Sequence, residues 1–163
     1  MRYNTKIQIF LTQFLIYLIE EKQATYDSFT ELMDISKSQF SEFIKDFFKM
    51  VDDLKLRYKI IKDQEVNIDN TGYRATNIYH LNDLDMDNHF EFEHLNENQL
   101  IKYSMTIVYL MLRNKQNVTT NYLATIFPNF NKKTMFNMVS KLKEIIPGEI
   151  NKNKYLSYII ELD

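Results

Sequence analysis

The chain has 163 residues, enough for one large domain or two small ones, with a net charge of −2, two glycines and no cysteine. The lack of cysteine excludes disulfides, thiol catalysis and Cys-based zinc sites. No apolar run approaches the ~18 residues of a membrane span, and the apolar N-terminal stretch is broken by Gln8, Thr12 and Gln13 with no small-residue cleavage site after it, so a cytoplasmic protein without membrane contact is expected.

The first predicted helix covers about Thr5 to Lys22, with Ile7, Phe10, Leu11, Phe14, Leu15 and Leu18 at the i, i+3, i+4, i+7 spacing of a buried stripe. Ile9, Ile16, Tyr17 and Ile19 lie off that stripe. They call for a second contact, either with the other half of the chain or across a homodimer, and the homodimer is expected, since two-fold symmetry places two reading heads on a palindromic DNA site. Thr25 caps a short second helix with Phe29, Leu32 and Met33 inward. Ser36 and Gln39 form an S-x-x-Q capping box opening a third helix, which turns Phe40, Ile44, Phe47, Phe48 and Val51 inward and leaves Lys37, Ser38, Ser41, Glu42, Lys45 and Lys49 outside. Two β-type runs follow, Tyr58 to Ile61 and Tyr73 to Tyr79, joined through the turn signal Asn70-Thr71-Gly72; Val66-Asn67-Ile68 adds a third short strand or belongs to the loop.

Residues 80–98 read as a linker, within which Phe90 and Phe92 alternate with Glu91 and Glu93 as in a short extended segment. Asn96 and Gln99 form a weaker cap signal for a fourth helix, whose stripe is Leu100, Tyr103, Ile107, Leu110 and Met111. A fifth helix holds Tyr122, Leu123, Ile126 and Phe127 inward and ends at Pro128. Asn131 caps the sixth, with Met135, Val139 and Leu142 inward and Lys132, Lys133, Asn137 and Lys141 outward. Pro147-Gly148 marks a turn, Tyr155 to Leu162 a closing strand, and Lys152 and Lys154 a small wing tip.

The pattern therefore occurs twice, about 94 residues apart: Phe29 corresponds to Leu123, Leu32 to Ile126, Phe40 to Met135, Ile44 to Val139 and Phe47 to Leu142, with one extra residue in the second turn. Three helices followed by a β-hairpin describe a winged helix. The expected fold is mainly α (α+β): tandem winged-helix domains, each three helices plus a small hairpin wing, at residues 1–79 and 99–163, joined by the linker 80–98. Charge divides unevenly among these parts. Residues 1–79 carry 11 basic and 12 acidic side chains, 80–98 carry six acids and no Lys or Arg, and 99–163 carry nine basic and four acidic.

Lys6-Ile7-Gln8, Ile35-Ser36-Lys37-Ser38 and the wing end Thr71-Gly72-Tyr73-Arg74 carry a family likeness. Over residues 6–75 the chain resembles the N-terminal winged helix of bacterial WYL-type and DeoR-like transcriptional regulators. Leu95-Asn96-Glu97-Asn98-Gln99-Leu100 loosely resembles the acidic start of the helical segment that follows in them. The resemblance implies DNA contact through the third helix and the wing, at Lys37, Ser38, Ser41, Glu42, Lys45 and Arg74. The chain departs from the family in showing Gln39, Ser41 and Glu42 where arginines are usual, and in having no counterpart to the effector-sensing domain.

The chemistry of the two candidate reading helices differs. In the first, Ser38 and Gln39 suit base edges and Lys37 and Lys45 suit phosphates, whereas Glu42 would repel a phosphate. In the second, Lys132, Lys133 and Thr134 sit where free backbone N–H groups favour a phosphate, Asn137 and Lys141 follow along the helix, and Lys152 and Lys154 add wing contacts. His80, His89 and His94 lie beside Asp83, Asp85, Asp87, Glu91 and Glu93, but Asn88 and His94 stand where a calcium loop needs Gly and Glu, so a solvated acidic linker is expected and no metal. No phosphate-cradling, dinucleotide or H-E-x-x-H motif is present. The expected function is a DNA-binding transcriptional regulator acting by operator occupancy on double-stranded DNA, without catalysis or cofactor and with any small-molecule effector undefined. A replication or partition initiator, or a scaffold whose winged helices bind protein, are the alternatives.

Overall fold

The computed structural model describes residues 5–57, 59–69, 72–82, 89–116, 118–148 and 159–160. These form a mainly helical α+β structure in the order α1 (Thr5–Glu21), β1 (Gln23–Ala24), α2 (Tyr26–Phe29), α3 (Lys37–Asp53), β2 (Lys59–Asp69), β3 (Gly72–Asn82), α4 (Glu97–Arg113), β4 (Val118–Thr119), α5 (Thr120–Ile126), α6 (Lys132–Ile145) and β5 (Ile159–Ile160). The expected turn at Asn70-Thr71 lies outside the described residues, as do Tyr58, Asp83, Asp85, Asp87, Asn88 and the expected wing-tip residues Lys152 and Lys154.

In the first half β2 and β3 form an 11-pair antiparallel ladder from Lys59–Asn82 to Asp69–Gly72. Val66-Asn67-Ile68 is therefore neither a separate strand nor a loop, but part of one continuous β2. The short β1, which periodicity did not reveal, pairs antiparallel with β3 through Gln23–His80 and Ala24–Tyr79, giving the sheet order β1-β3-β2. β3 thus reaches Asn82, past the expected linker start at residue 80.

Phenylalanine builds the first core. Phe10 and Phe14 of α1 stack 5.4 Å apart, Phe14 meets Phe29 of α2 edge-on at 5.2 Å and Phe47 of α3 at 4.8 Å, and Tyr79 of β3 closes the cluster at 5.9 Å. Edge-to-face rings of this kind contribute beyond their buried area. The second core is aliphatic and methionine-rich: Leu123, Met135, Met138, Val139 and Leu142 are buried against α4. Two residues expected inward are on the surface. Leu32 is 51% exposed because α2 stops at Phe29, one turn before it, and Tyr122 is 43% exposed on the outer side of α5.

The caps also differ from expectation. Ser36 Oγ accepts the Gln39 backbone N–H at 3.2 Å, but its other neighbour is the Ser38 hydroxyl at 3.3 Å, and the return bond from the Gln39 side chain does not form. Full reciprocal boxes occur instead at Thr25/Ser28 and at Asn96/Gln99. Helices α3 and α4 close through paired C-terminal bonds: Lys55 N–H to Asp52 with Leu56 N–H to Val51, and Lys115 N–H to Leu112 with Gln116 N–H to Met111. That closure needs a left-handed residue, usually glycine; here Lys55 and Lys115 take φ of +53° and +57°.

The halves share one interior. Every residue of α4 from Tyr103 to Leu112 is buried, so this helix is enclosed on all sides rather than amphipathic. One side of it is covered by α1. Ile16 and Ile19 are buried and Ile9 and Tyr17 pack on the same core, so the surplus apolar face of α1 is satisfied within the chain. At the seam the Thr12 and Thr106 hydroxyls lie 2.8 Å apart. These two threonines are equivalent positions of the repeat, 94 residues apart, so the contact has the self-complementary character of a two-fold interface. Gln8 reaches across beside them, its Nε2 donating to the Ile101 carbonyl at 2.6 Å, while its buried Oε1 has no hydrogen-bond partner.

The second half does not close as the first does. β5 runs parallel to β4, in the register Val118–Ile159 and Thr119–Ile160, whereas β3 runs antiparallel to β1.

Two stability outcomes follow from the seam and the helix ends. Thr12 Oγ1 also donates to the Gln8 carbonyl at 3.0 Å, which leaves Thr106 as the donor of the pair. Thr12→Val strands that buried donor and should cost about 1–3 kcal/mol, whereas Thr106→Val removes donor and need together and should cost well under ~1 kcal/mol; urea unfolding of both variants and of the double variant measures the difference. Lys115→Gly should raise stability by about 0.5–1 kcal/mol by relieving the left-handed backbone, and a lowered Tm would contradict the strain assigned there.

Candidate nucleic-acid interface

Lys37, Ser38, Ser41 and Lys45 are all exposed on α3, as the helical spacing requires. Lys37, Ser41 and Lys45 succeed one another at i, i+4, i+8 along one edge of the helix. Lys37 and Ser41 border a cleft of about 160 Å³ lined also by Tyr26 and Asp27 of α2 and by Ala75, Thr76 and Asn77 of β3. Tyr26 sets one wall: its hydroxyl donates to the Ile35 carbonyl at 3.1 Å and its ring meets Phe40 edge-on at 5.3 Å. The backbone of Arg74 pairs with Asn67 in the ladder next to this cleft. The cleft is not uniformly basic, because Asp27 shares it with Lys37 and Glu42 is exposed on the next turn.

The α6 face is different. Asn131 Oδ1 accepts the Thr134 N–H at 2.7 Å and fixes the start of the helix. Lys132, Lys133 and Asn137 are exposed, and Thr134 is half-buried. Lys141 is drawn aside: it is half-buried and its Nζ lies 3.3 Å from Glu144. Acidic side chains are absent from the entire sequence between Asn98 and Lys143, so no acid close in sequence offsets Lys132 and Lys133, while Glu97 of α4 borders a cleft with Phe127, Pro128, Asn129 and Phe130 just before α6. This acid-free run was readable in the sequence and sharpens the basic half into a basic surface. Position by position α3 and α6 diverge: Ser38 corresponds to Lys133, Ser41 to Phe136 and Glu42 to Asn137. Phe136 was assigned no role by periodicity, yet it is 60% exposed in the middle of this face.

Among the described residues of the linker, Glu91 lies near Lys55 at the end of α3. Residues 89–96 fold back on the end of α3: the Glu91 N–H donates to the Leu54 carbonyl at 2.8 Å, His94 Nε2 bonds the Asp53 carbonyl at 2.6 Å, and Phe90 and Phe92 stack 6.0 Å apart rather than forming a strand. The three histidines have separate partners. His80 faces Asp63 at 4.0 Å, His89 faces Glu91 at 3.5 Å, and His94 holds the α3 carbonyl. Among the described residues no three His, Asp or Glu side chains converge as metal ligands, and no helix is long and apolar enough to cross a membrane.

A polar seam ties α3 to α4 and so fixes one face relative to the other. Lys102 pairs with Asp46 at 3.1 Å, the Tyr103 hydroxyl donates to Asp53 Oδ2 at 2.6 Å, and Gln99 Nε2 donates to the same oxygen at 3.3 Å. Burial, then the bond and charge of Asp53, then the charge of Asp46, push the Tyr103 phenol well above its ordinary range. Comparison with known protein families, with curated proteins and with solved structures finds no significant match.

The phenol gives a pH test of this seam. A group whose folded pKa is raised contributes stability that is fully present below its unfolded value of 10.0 and is lost as pH rises beyond it toward the folded value. Tyr103→Phe should cost about 1.5 kcal/mol at neutral pH, and its deficit against wild type should shrink above pH ~10. A deficit constant through that window, read by urea unfolding, would contradict a phenol held above its ordinary range in the folded chain.

Proposed function

We propose that this chain is a tandem winged-helix DNA-binding protein that acts as a transcriptional regulator by occupying an operator, without chemistry. The observation that carries the reading is the outer face of α6, where Lys132, Lys133 and Asn137 stand exposed on a helix with no acidic neighbour before Glu144. Lysines there neutralise backbone phosphates, and an amide side chain one turn on can reach a base edge. The first half supports the same reading through topology. Its α1–β1–α2–α3–β2–β3 order, with strand order β1-β3-β2, sets the exposed Lys37, Ser38, Ser41 and Lys45 of α3 beside a long two-stranded hairpin.

The two heads sit in a single chain around the α1–α4 seam, and the apolar side chains that suggested a homodimer pack within the chain, Tyr17 against Phe29. One chain per duplex is therefore the proposed complex. The basic α6 head supplies most of the phosphate contact. The α3 head, with Asp27 and Glu42 near its lysines, adds less.

The rival is a protein-interaction scaffold, favoured by the exposed Leu32 and Tyr122 and by Glu42 on α3. Fluorescence anisotropy against genomic duplex fragments at two salt concentrations separates the two. The proposal expects binding that weakens steeply with salt, and Lys133→Glu should lower affinity about tenfold or more and reduce the salt slope by about 1. Lack of binding by the wild-type chain supports the scaffold, and unchanged affinity of Lys133→Glu removes the α6 head.

A further inference from the structure

Phe136 is the most exposed of the large apolar side chains among the described residues, at 60%. It costs hydrophobic free energy in the free protein and takes no part in the core, where Met135, Met138, Val139 and Leu142 fill the inner side of α6. Its neighbours on the outer side are Lys132 and Lys133 one turn before, Asn137 beside it and Ser140 one turn after. A face that places two cations at one end and an aromatic ring with an amide at its centre does not fit a purely apolar partner, which would have to bury both lysines unpaired. It does fit an anionic polymer with apolar groups in a groove.

Duplex DNA has that composition. The thymine methyl is the apolar group on the floor of the major groove, and the adenine paired with it offers N7 as acceptor and N6 as donor. Asn137 has the one donor and one acceptor that this edge demands. Phe136 and Asn137 are consecutive, about 100° apart around the helix, so one meets the methyl while the other meets a neighbouring base edge. The first half lacks this pair: the corresponding positions are Ser41 and Glu42, which offer neither a large apolar contact nor an amide with donor and acceptor side by side.

We propose that the outer face of α6 reads A·T base pairs in the major groove, with Phe136 packed on a thymine methyl and Asn137 hydrogen-bonded to an adjacent adenine. This inference rests on the DNA-binding reading above and adds base selection to it. Lys132 and Lys133 hold the flanking phosphates and carry no sequence preference.

The test uses the full chain and three short duplexes in anisotropy titrations: alternating A·T, the same duplex with deoxyuridine in place of thymidine, and alternating G·C. The wild-type chain should prefer the thymidine duplex over both others by about tenfold. Phe136→Ala should bind the thymidine and deoxyuridine duplexes equally while keeping some preference over G·C, and Asn137→Ala should lose that remaining preference. Equal wild-type affinity for the thymidine and deoxyuridine duplexes overturns the assignment of Phe136. So does a Phe136→Ala loss of the same size on both. Absence of salt-dependent binding to all three duplexes is a different result: it refutes the DNA reading itself.

Discussion

The contact on which the rest of the molecule depends is the packing of α1 against α4. An isolated three-helix unit of this size buries little, and α1 carries buried Ile16 and Ile19 off its main apolar stripe. The second half has the complementary need, because α4 is buried around its whole circumference from Tyr103 to Leu112. Each helix completes the other's core. The threonine pair at the centre is small enough for close approach and satisfies its own hydroxyls, so a polar contact is tolerated in a dry seam.

Once that seam is set, the polar bonds around it fix the orientation of α3 against α4 and add to stability. Asp46 and Asp53 at the end of α3 engage Lys102 and Tyr103 at the start of α4, and the connecting segment 89–96 is held by the Leu54 and Asp53 carbonyls. The acidic segment is thus partly spent inside the chain. Glu91 lies 3.9 Å from Lys55 at the end of α3. The repeat supplies two similar frames, and the surface chemistry then makes them unequal.

Much of this was legible in the sequence because helix periodicity and caps are local. The limits of α1, the N-caps at Thr25, Asn96 and Asn131, the stop before Pro128 and the outward lysines of α3 and α6 all follow from spacing alone. What was not legible is non-local. Two-residue strands such as β1 have no period to detect, and only their pairing with β3 defines them. The full burial of α4 depends on what covers its second side, and the amphipathic stripe Leu100, Tyr103, Ile107, Leu110 and Met111 gave only the first. Leu32 and Tyr122 are apolar residues of short helices, for which spacing predicts an inward place, but α2 ends before Leu32, and Tyr122 lies on the outer side of α5. Of the candidate site, the charges were visible and the exposed Phe136 between them was not, because an apolar residue on a helix reads as core until the packing is known.

The central claim is that the halves form one cooperative body through α1 and α4, which fixes two heads relative to each other in a single chain. Native-state hydrogen exchange across a denaturant series tests it most directly. The account predicts that the amides in the middle of α1 and of α4 exchange together, with the same opening free energy and denaturant dependence, as one global unit. Protection of α1 persisting while α4 opens in a separate step would show two independently stable halves and contradict it.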